Sequence, residues 1–210
     1  MVASLLAVML AERNYRTGLF DLDFTSPSTH IILGIEGIHP EEKNGIVPPK
    51  VHGFQYMSIV YYSGNHASPL RGEDVSNALI ELLAVTRWGT LDYLIIDMPP
   101  GIGDATLDII RLIGKTRFLL VTTPSRLAFE TVRKMVDLLQ DLKVPIVGVI
   151  ENMKMKESSF IQQKVAGTGL TFCGGISFDP MLEDAIGNVS KLLRTEFGRE
   201  LRRAVDSLGL

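Results

Sequence analysis

A chain of 210 residues with 46% hydrophobic and 21% charged residues has an ordinary globular balance, which excludes disorder and leaves room for one well-buried α/β domain. The formal net charge of −3 offers no basic footprint for nucleic acid or for a membrane surface, and no apolar run reaches membrane-span length. A single cysteine excludes an internal disulfide framework and suits a reducing, cytoplasmic compartment.

Apolar runs ending in turn signals alternate with amphipathic stretches, the pattern of a mostly parallel sheet covered by helices on both faces. MVASLLAVML lacks a basic flank and continues into AERNYR, so residues 1–14 read as a helix rather than a secretory signal. Thr17 to Phe24 reads as a strand with carboxylates at its C-terminal end. Ser26-Pro27 suits the start of a short helix and Gly34 its stop. Residues 35–53, with Asn44-Gly45, Pro48-Pro49 and Gly53, read as a long loop. Phe54 to Tyr61 is the next strand and Glu73 to Thr86 the next helix. Tyr93 to Asp97 (YLIID) is a continuous apolar strand, followed by a Pro/Gly loop and a helix opening near Asp104. Phe118 to Thr122 is a strand, Ser125 caps a helix reaching Leu142, and Pro145 to Ile150 is another strand. The last strand falls near Cys173 to Phe178, with helices near 181–186 and 190–207. With no repeat, low-complexity stretch or linker, residues 1–210 are expected to form one domain.

Polar residues gather at the strands' C-terminal ends, where open α/β sheets bind ligands. Asp97 closes an apolar strand and opens Met98-Pro99-Pro100-Gly101-Ile102-Gly103-Asp104. A carboxylate there can hold a Mg²⁺-bound water. Gly101 lets a backbone N–H approach a γ-phosphate with no Cβ in the way. Asp21 and Asp23, two apart on a strand, share a face and can orient an attacking or metal-bound water. Each motif also has a plainer reading. An Asp after a parallel strand is commonly the N-cap of the next element, and acidic strand ends are common on surfaces. IIDMPPGIGD is the more specific string, because a plain turn rarely needs two prolines and two glycines between carboxylates.

These residues resemble the Mrp/MinD group of deviant P-loop ATPases, which includes the nitrogenase iron protein. FDLDFTSPS is similar to the group's DxDxxGPS switch I segment. PLRGEDVSNALIELLAVTRWGTLDYLIIDMPPGIGD resembles the Mrp branch's RGPM…W…LDYLIIDxPPGTGD, its Walker B and switch II. VIENM resembles VxENM, and ISFDP the I/VPxDP segment that lines the base pocket. The resemblance implies a P-loop NTPase fold binding ATP and Mg²⁺. It makes Asp23 the catalytic switch I aspartate with Asp21 beside it, and Asp97 the Walker B aspartate holding Mg²⁺ through water. Gly101 becomes the γ-phosphate sensor and Asn152 the adenine reader, with Phe178 and Asp179 flanking the base. Ser26 stands where Gly is usual and Ile102 where Thr is usual.

In that group a strand and the loop GKGGVGKS/T precede the helix that here reads MVASLLAVMLAERNY, and the 210 residues contain no such loop. The amide cradle, phosphate-binding Lys and Mg²⁺-binding hydroxyl are then missing, so the chain as given is not expected to turn over ATP. The first, central strand is missing too. About 5–6 apolar residues at ~1.5–3 kcal/mol each match a domain's whole stability of ~5–15 kcal/mol. The simplest expectation is a native chain that starts upstream of Met1.

Many Mrp relatives bridge an iron–sulfur cluster across a dimer with a CxxC after ENM. Here that stretch reads ENMKMKESSFIQQKV, so such a cluster is not expected, and Cys173 reads as a buried small residue. DLDFTSPSTHIILG, NGIVPPKVHG and SPLRGEDVSNALIELLAVTRW resemble archaeal members that serve nickel insertion in [NiFe]-hydrogenase maturation, which also lack CxxC. That resemblance implies nickel handled through a metallochaperone partner. His30, His39, His52 and His66 lack metal-ligand spacing and read as surface residues. The first functional reading is an ATP-gated homodimer serving metal-centre assembly in a metalloenzyme client, with switches at Asp23 and Gly101. The others are a MinD/ParA-like positioning ATPase and a nucleotide-free scaffold. KLLRTEFGRELRRAVDSLGL mixes its basic residues with Glu196, Glu200 and Asp206, which suits a solvated helix covering the sheet better than a membrane anchor.

Overall fold

The computed structural model describes every residue except Thr25, residues 64–72, residues 157–158 and Leu210. His66 and the Ser68–Gly72 part of the switch II-proximal motif therefore lie outside the described residues. The chain divides into two compact units, Met1–Asp108 with Ile186–Val189 and Ile109–Ala185 with Ser190–Leu210.

In the first unit, helix α1 (Val2–Glu12) buries every side chain from Ser4 to Leu10. A helix apolar all round is a core helix, and it packs on strands β1 (Thr17–Asp21), β5 (Phe54–Ser58) and β6 (Tyr93–Asp97). β1 is buried at all five residues because it is central, parallel to β5 on one side and to β6 on the other. Gly18 lets Trp88 lie against β1: a Cβ there would stand 2.9 Å from the indole ring. β1 stops at Asp21, three residues short of Phe24, as the main chain after Asp21 folds back onto that residue's carboxylate. Helix α2 (Thr29–Leu33) starts after Ser28, later than Ser26-Pro27 suggests, and stops at Gly34 in the left-handed region.

The stretch 35–53 is more structured than a loop. β2 (Glu41–Glu42) and β3 (Ile46–Val47) form an antiparallel hairpin, and β4 (Lys50–Val51) pairs antiparallel with β5. Positive φ at Asn44 and Gly45, and at His52 and Gly53, makes both turns. α3 (Val60–Ser63) replaces the end of the expected strand, and α4 (Glu73–Val85) follows. The sheet order is β4-β5-β1-β6. β6 pairs only with β1 among the described residues, and its five residues are half-buried despite their apolar character.

Helix α5 (Asp104–Leu112) leads into the second unit, whose parallel sheet has the order β7 (Phe118–Thr122), β8 (Ile146–Lys154), β9 (Phe172–Ser177). Helix α6 (Arg126–Asp141) is capped by Ser125, whose hydroxyl accepts from the Ala128 amide. Leu120, Phe129, Val136, Leu139, Val149, Ile161 and Val165 form one core, drawing on β7, α6, β8 and α7 (Phe160–Ala166). β8 runs four residues past Ile150, so Asn152 sits in the strand rather than after it. A 3₁₀ turn (Glu183–Ala185) stands in place of the helix expected near 181–186, and two helices, α8 (Val189–Leu192) and α9 (Glu196–Asp206), stand in place of the single helix expected near 190–207. The break falls at Thr195, which caps α9. α9 buries Phe197, Leu201, Ala204 and Val205 and packs on β9. Arg199, Arg203 and Asp206 are exposed, whereas Glu200 turns to the end of β9 and bonds Ser177.

Candidate functional site

The parallel register sets Asp21 opposite Ser58 on β5 and opposite Asp97 on β6, which gathers carboxylates at one end of the first unit's sheet. The Leu22 amide donates to the Asp97 carbonyl at 2.9 Å, so the two strand ends stay joined past the last pair. Asp21 is 0% exposed. One of its oxygens accepts from the Asp23 amide at 3.1 Å. The other accepts from the Thr29 amide at 3.3 Å and the Thr29 hydroxyl at 2.6 Å. Burial pushes the Asp21 carboxyl above its usual range; those hydrogen bonds pull it down and the Asp23 charge adds to the rise. Asp97 is likewise raised, first by burial, with the Met1 α-amine opposing and the charges of Asp21 and Asp23 adding.

Asp23 is half-buried and accepts from the Ser26 amide at 3.0 Å. Asp21, Asp23 and Asp97 thus come together in the first unit, within electrostatic reach of one another. Gly101 is exposed with φ +90, and a Cβ there would meet nothing within 4 Å. Glycine is required at that position by backbone conformation rather than by crowding.

The second unit holds the other predicted residues. Asn152 is half-buried on β8, and its Oδ1 accepts from the Met153 amide at 2.8 Å, where Met153 has φ +58. Phe178 follows β9 and is 49% exposed, and its amide donates to the Lys154 carbonyl at 2.9 Å. Asp179 accepts from the Met181 amide at 3.0 Å and from the Phe197 amide, in the first turn of α9, at 3.3 Å. Its carboxylate therefore fixes the main chain around Phe178 to α9. Glu200 anchors the same corner, accepting from the Ser177 amide at 2.6 Å and the Ser177 hydroxyl at 3.3 Å.

Several of these participants escaped sequence reading. Thr29 and Tyr56, joined at 2.8 Å, look like a helix start and a core aromatic. Glu200 looks like any exposed helix carboxylate. Only the spacing of Ser177 and Asp179 around a strand end hinted that something must tie that corner down. Of the histidines, His52 Nε2 meets the Leu33 carbonyl at 2.8 Å, and the rings of His39 and Tyr61 lie 5.9 Å apart. Cys173 is buried, and burial raises its thiol pKa. Among the described residues no group of three or more His, Cys, Asp or Glu could hold a metal ion. No helix there is long and apolar enough to cross a membrane.

Parallel strands ending in carboxylates, followed by a Pro/Gly loop, fit an α/β P-loop NTPase, and the comparisons show that family and fold. The chain belongs to the ParA/Mrp-type P-loop NTPases: the family profile for NUBPL iron-transfer P-loop NTPases matches residues 1–192. It is 40% identical over 154 residues to the iron–sulfur cluster carrier protein of Rickettsia felis, covering 72% of this chain and 48% of that protein. With the Aquifex aeolicus iron–sulfur cluster carrier protein it shares 34% identity over 195 residues, 85% of this chain and 54% of the relative. The chain thus spans about half the length of these curated relatives. Among solved structures, an Archaeoglobus fulgidus nucleotide-binding protein in complex with ADP superposes with TM-score 0.74 and 26% identity, over 91% of this chain and 80% of that one. Pyrococcus horikoshii MinD with Mg-ADP superposes with TM-score 0.72 at 18% identity, over 98% and 88% of the two chains, and shows the shared fold.

Proposed function

We propose that this chain carries the switch and base-reading parts of an ATP-gated factor for metal-centre assembly, with an iron–sulfur cluster as cargo. The carrying observation is the meeting of Asp21, Asp23 and Asp97 at the ends of β1 and β6, directly before the Pro99–Asp104 turn. In this reading Asp97 and Asp23 hold and orient Mg²⁺-bound and attacking water. Gly101, in the first unit, presents its amide to the γ-phosphate. Adenine reading is assigned to Asn152 and Phe178 of the second unit by the resemblance of their motifs alone. The donor set fits Mg²⁺, a hard cation that takes carboxylate oxygens and water. No GKGGVGKS/T segment occurs in the 210 residues, so phosphate binding depends on a loop from outside them. MgATP supplies the free energy of switching when bound; the chain's own part is to read the γ-phosphate and hold the attacking water.

The curated relatives named as iron–sulfur cluster carriers support the choice of cargo. The one cysteine of this chain is buried, and a four-thiolate cluster needs more than a homodimer of it would supply. Within these 210 residues the cluster finds too few thiolates, so its ligands lie outside them, and this chain acts as a nucleotide-gated homodimer that docks a donor and a client. The same lack of a CxxC favours, as a second reading, nickel handled through a metallochaperone.

The test uses the chain joined to an upstream strand and phosphate loop. Titration with a fluorescent ATP analogue and Mg²⁺ is expected to show binding, and Asp97→Asn to cut turnover by about 10²-fold or more. An apo iron–sulfur client should then recover its cluster from a loaded donor faster with ATP than without. Equal recovery with and without nucleotide refutes the gating; ATP-dependent loading of nickel but not of the cluster selects the second reading.

A further inference from the structure

Beneath the carboxylates runs a buried chain of side chains that the proposed chemistry does not use directly. Asp21, Thr29, Tyr56 and Ser58 are each 0% exposed. The Thr29 hydroxyl lies 2.6 Å from Asp21 and 2.8 Å from the Tyr56 hydroxyl. A carboxylate only accepts, so the single Thr29 proton points to Asp21, and Tyr56 must donate to Thr29 Oγ1. Burial raises the Tyr56 phenol pKa, so its proton stays in place across the working pH range. Tyr56 is also hydrogen-bonded to the Ser58 hydroxyl, and Ser58 Oγ accepts from the Val60 amide at 3.3 Å. The network is directional and ends on Asp21.

The same carboxylate grips both ends of the segment that carries Asp23. Its Oδ1 takes the Asp23 amide, and its Oδ2 takes the amide and hydroxyl of Thr29. Asp23 sits at the first clamp, and its own carboxylate takes the Ser26 amide. Strand β5 thus reaches the switch segment through two hydroxyls and one buried carboxylate.

Resting on the ATPase reading, we infer that Asp21, Thr29 and Tyr56 form a latch that positions Asp23, so Asp21 acts on its neighbour rather than on nucleotide or Mg²⁺. Thr29 and Tyr56 become positioning residues for hydrolysis. Tyr56→Phe removes the far donor and keeps the ring. Thr29→Val removes both the proton sent to Asp21 and the oxygen that receives Tyr56, while Thr29→Ser keeps them.

The deciding experiment is amide hydrogen exchange without nucleotide, on the chain joined to an upstream strand and phosphate loop. Tyr56→Phe and Thr29→Val should speed exchange of the amides at 23–29 by about tenfold or more, while Leu19, Phe20 and Met57 keep their protection. Thr29→Ser should return the segment to wild-type rates. Unchanged exchange at 23–29, or acceleration spread evenly through β1 and β5, overturns the latch and makes the network ordinary core. In protein carrying the phosphate loop, Thr29→Val should lower kcat by about tenfold or more at unchanged KM, and Thr29→Ser should restore it. A raised KM with normal kcat overturns the positioning role in favour of ground-state binding. Wild-type protein that binds no ATP overturns the ATPase reading while leaving the exchange result standing.

Discussion

Gly34 closes α2 with φ +63, and a Cβ built there would stand 2.2 Å from the Gly187 carbonyl oxygen. Gly37 has nearly the same backbone, φ +65, but open space where its Cβ would go. The pair separates conformational strain from steric conflict. Gly37→Ala should destabilise by about 1–2 kcal/mol, the left-handed penalty for an L-residue. Gly34→Ala should cost clearly more, because main chain has to move. Urea midpoints of the two variants measure the difference, and equal losses would mean that the 186–189 segment yields freely. At this scale the sequence is most legible where backbone chemistry is severe. Gly34 as a stop and Gly101 in a constrained loop follow from residue type alone. The DLD pair was legible as carboxylates at a strand end, but the division of labour was not. Only the path of the chain from Asp21 to Thr29 shows one aspartate enclosed by donors and the other left half-buried. Asp179 is a parallel case: its motif resembles a segment that lines a base pocket, and its carboxylate accepts from the Phe197 amide at the start of α9.

Helix α9 begins with a double cap. The Thr195 hydroxyl accepts from the Gly198 amide at 3.0 Å and Asp179 accepts from the Phe197 amide at 3.3 Å, so two of the helix's orphan donors are satisfied. Thr195→Ala should therefore lower stability by ~1 kcal/mol, read from thermal or urea unfolding. A negligible change would mean that Asp179 alone suffices. YLIID, FLLVT and PIVGVI read as strands because they are short apolar runs bounded by turn signals, the pattern of a parallel sheet, although β6 is only half-buried. The hairpin of β2 and β3 was missed although Asn44-Gly45 is a strong turn signal, because its strands are two residues long and carry no alternation. Helix α7 was missed for a related reason: its seven residues give too few turns for periodicity to emerge. β8 outruns its apolar stretch because ladder bonds to β9 carry Glu151 and Lys154 onward. At Gly148 a side chain would run into Cys173 Sγ at 2.2 Å, so close strand packing chose that glycine.

The ionisable groups of the whole chain give its stability a pH dependence with opposed parts. Asp21 and Asp97 have folded pKa values raised by burial, so their ionised forms are disfavoured in the native state. The native state then binds more protons than the unfolded chain, and these two groups add stability as pH falls from neutral toward the ordinary carboxylate value of 3.8. Asp92 is the reverse. The Arg16 side chain and amide hold its carboxyl at about 2, so its contribution is complete above the usual 3.8 and lost as pH drops toward about 2. Paired measurements isolate each group. The unfolding free energy of wild type minus that of Asp21→Asn should grow as pH falls from about 7 to about 4. Wild type minus Asp92→Asn should stay level over that range and shrink below it. A wild-type advantage over Asp21→Asn that shrinks on acidification would show that the hydrogen bonds from Thr29 and Asp23 outweigh burial. Asp21 would then be a carboxylate held ionised by its clamp, and acid would weaken the hold on the switch segment.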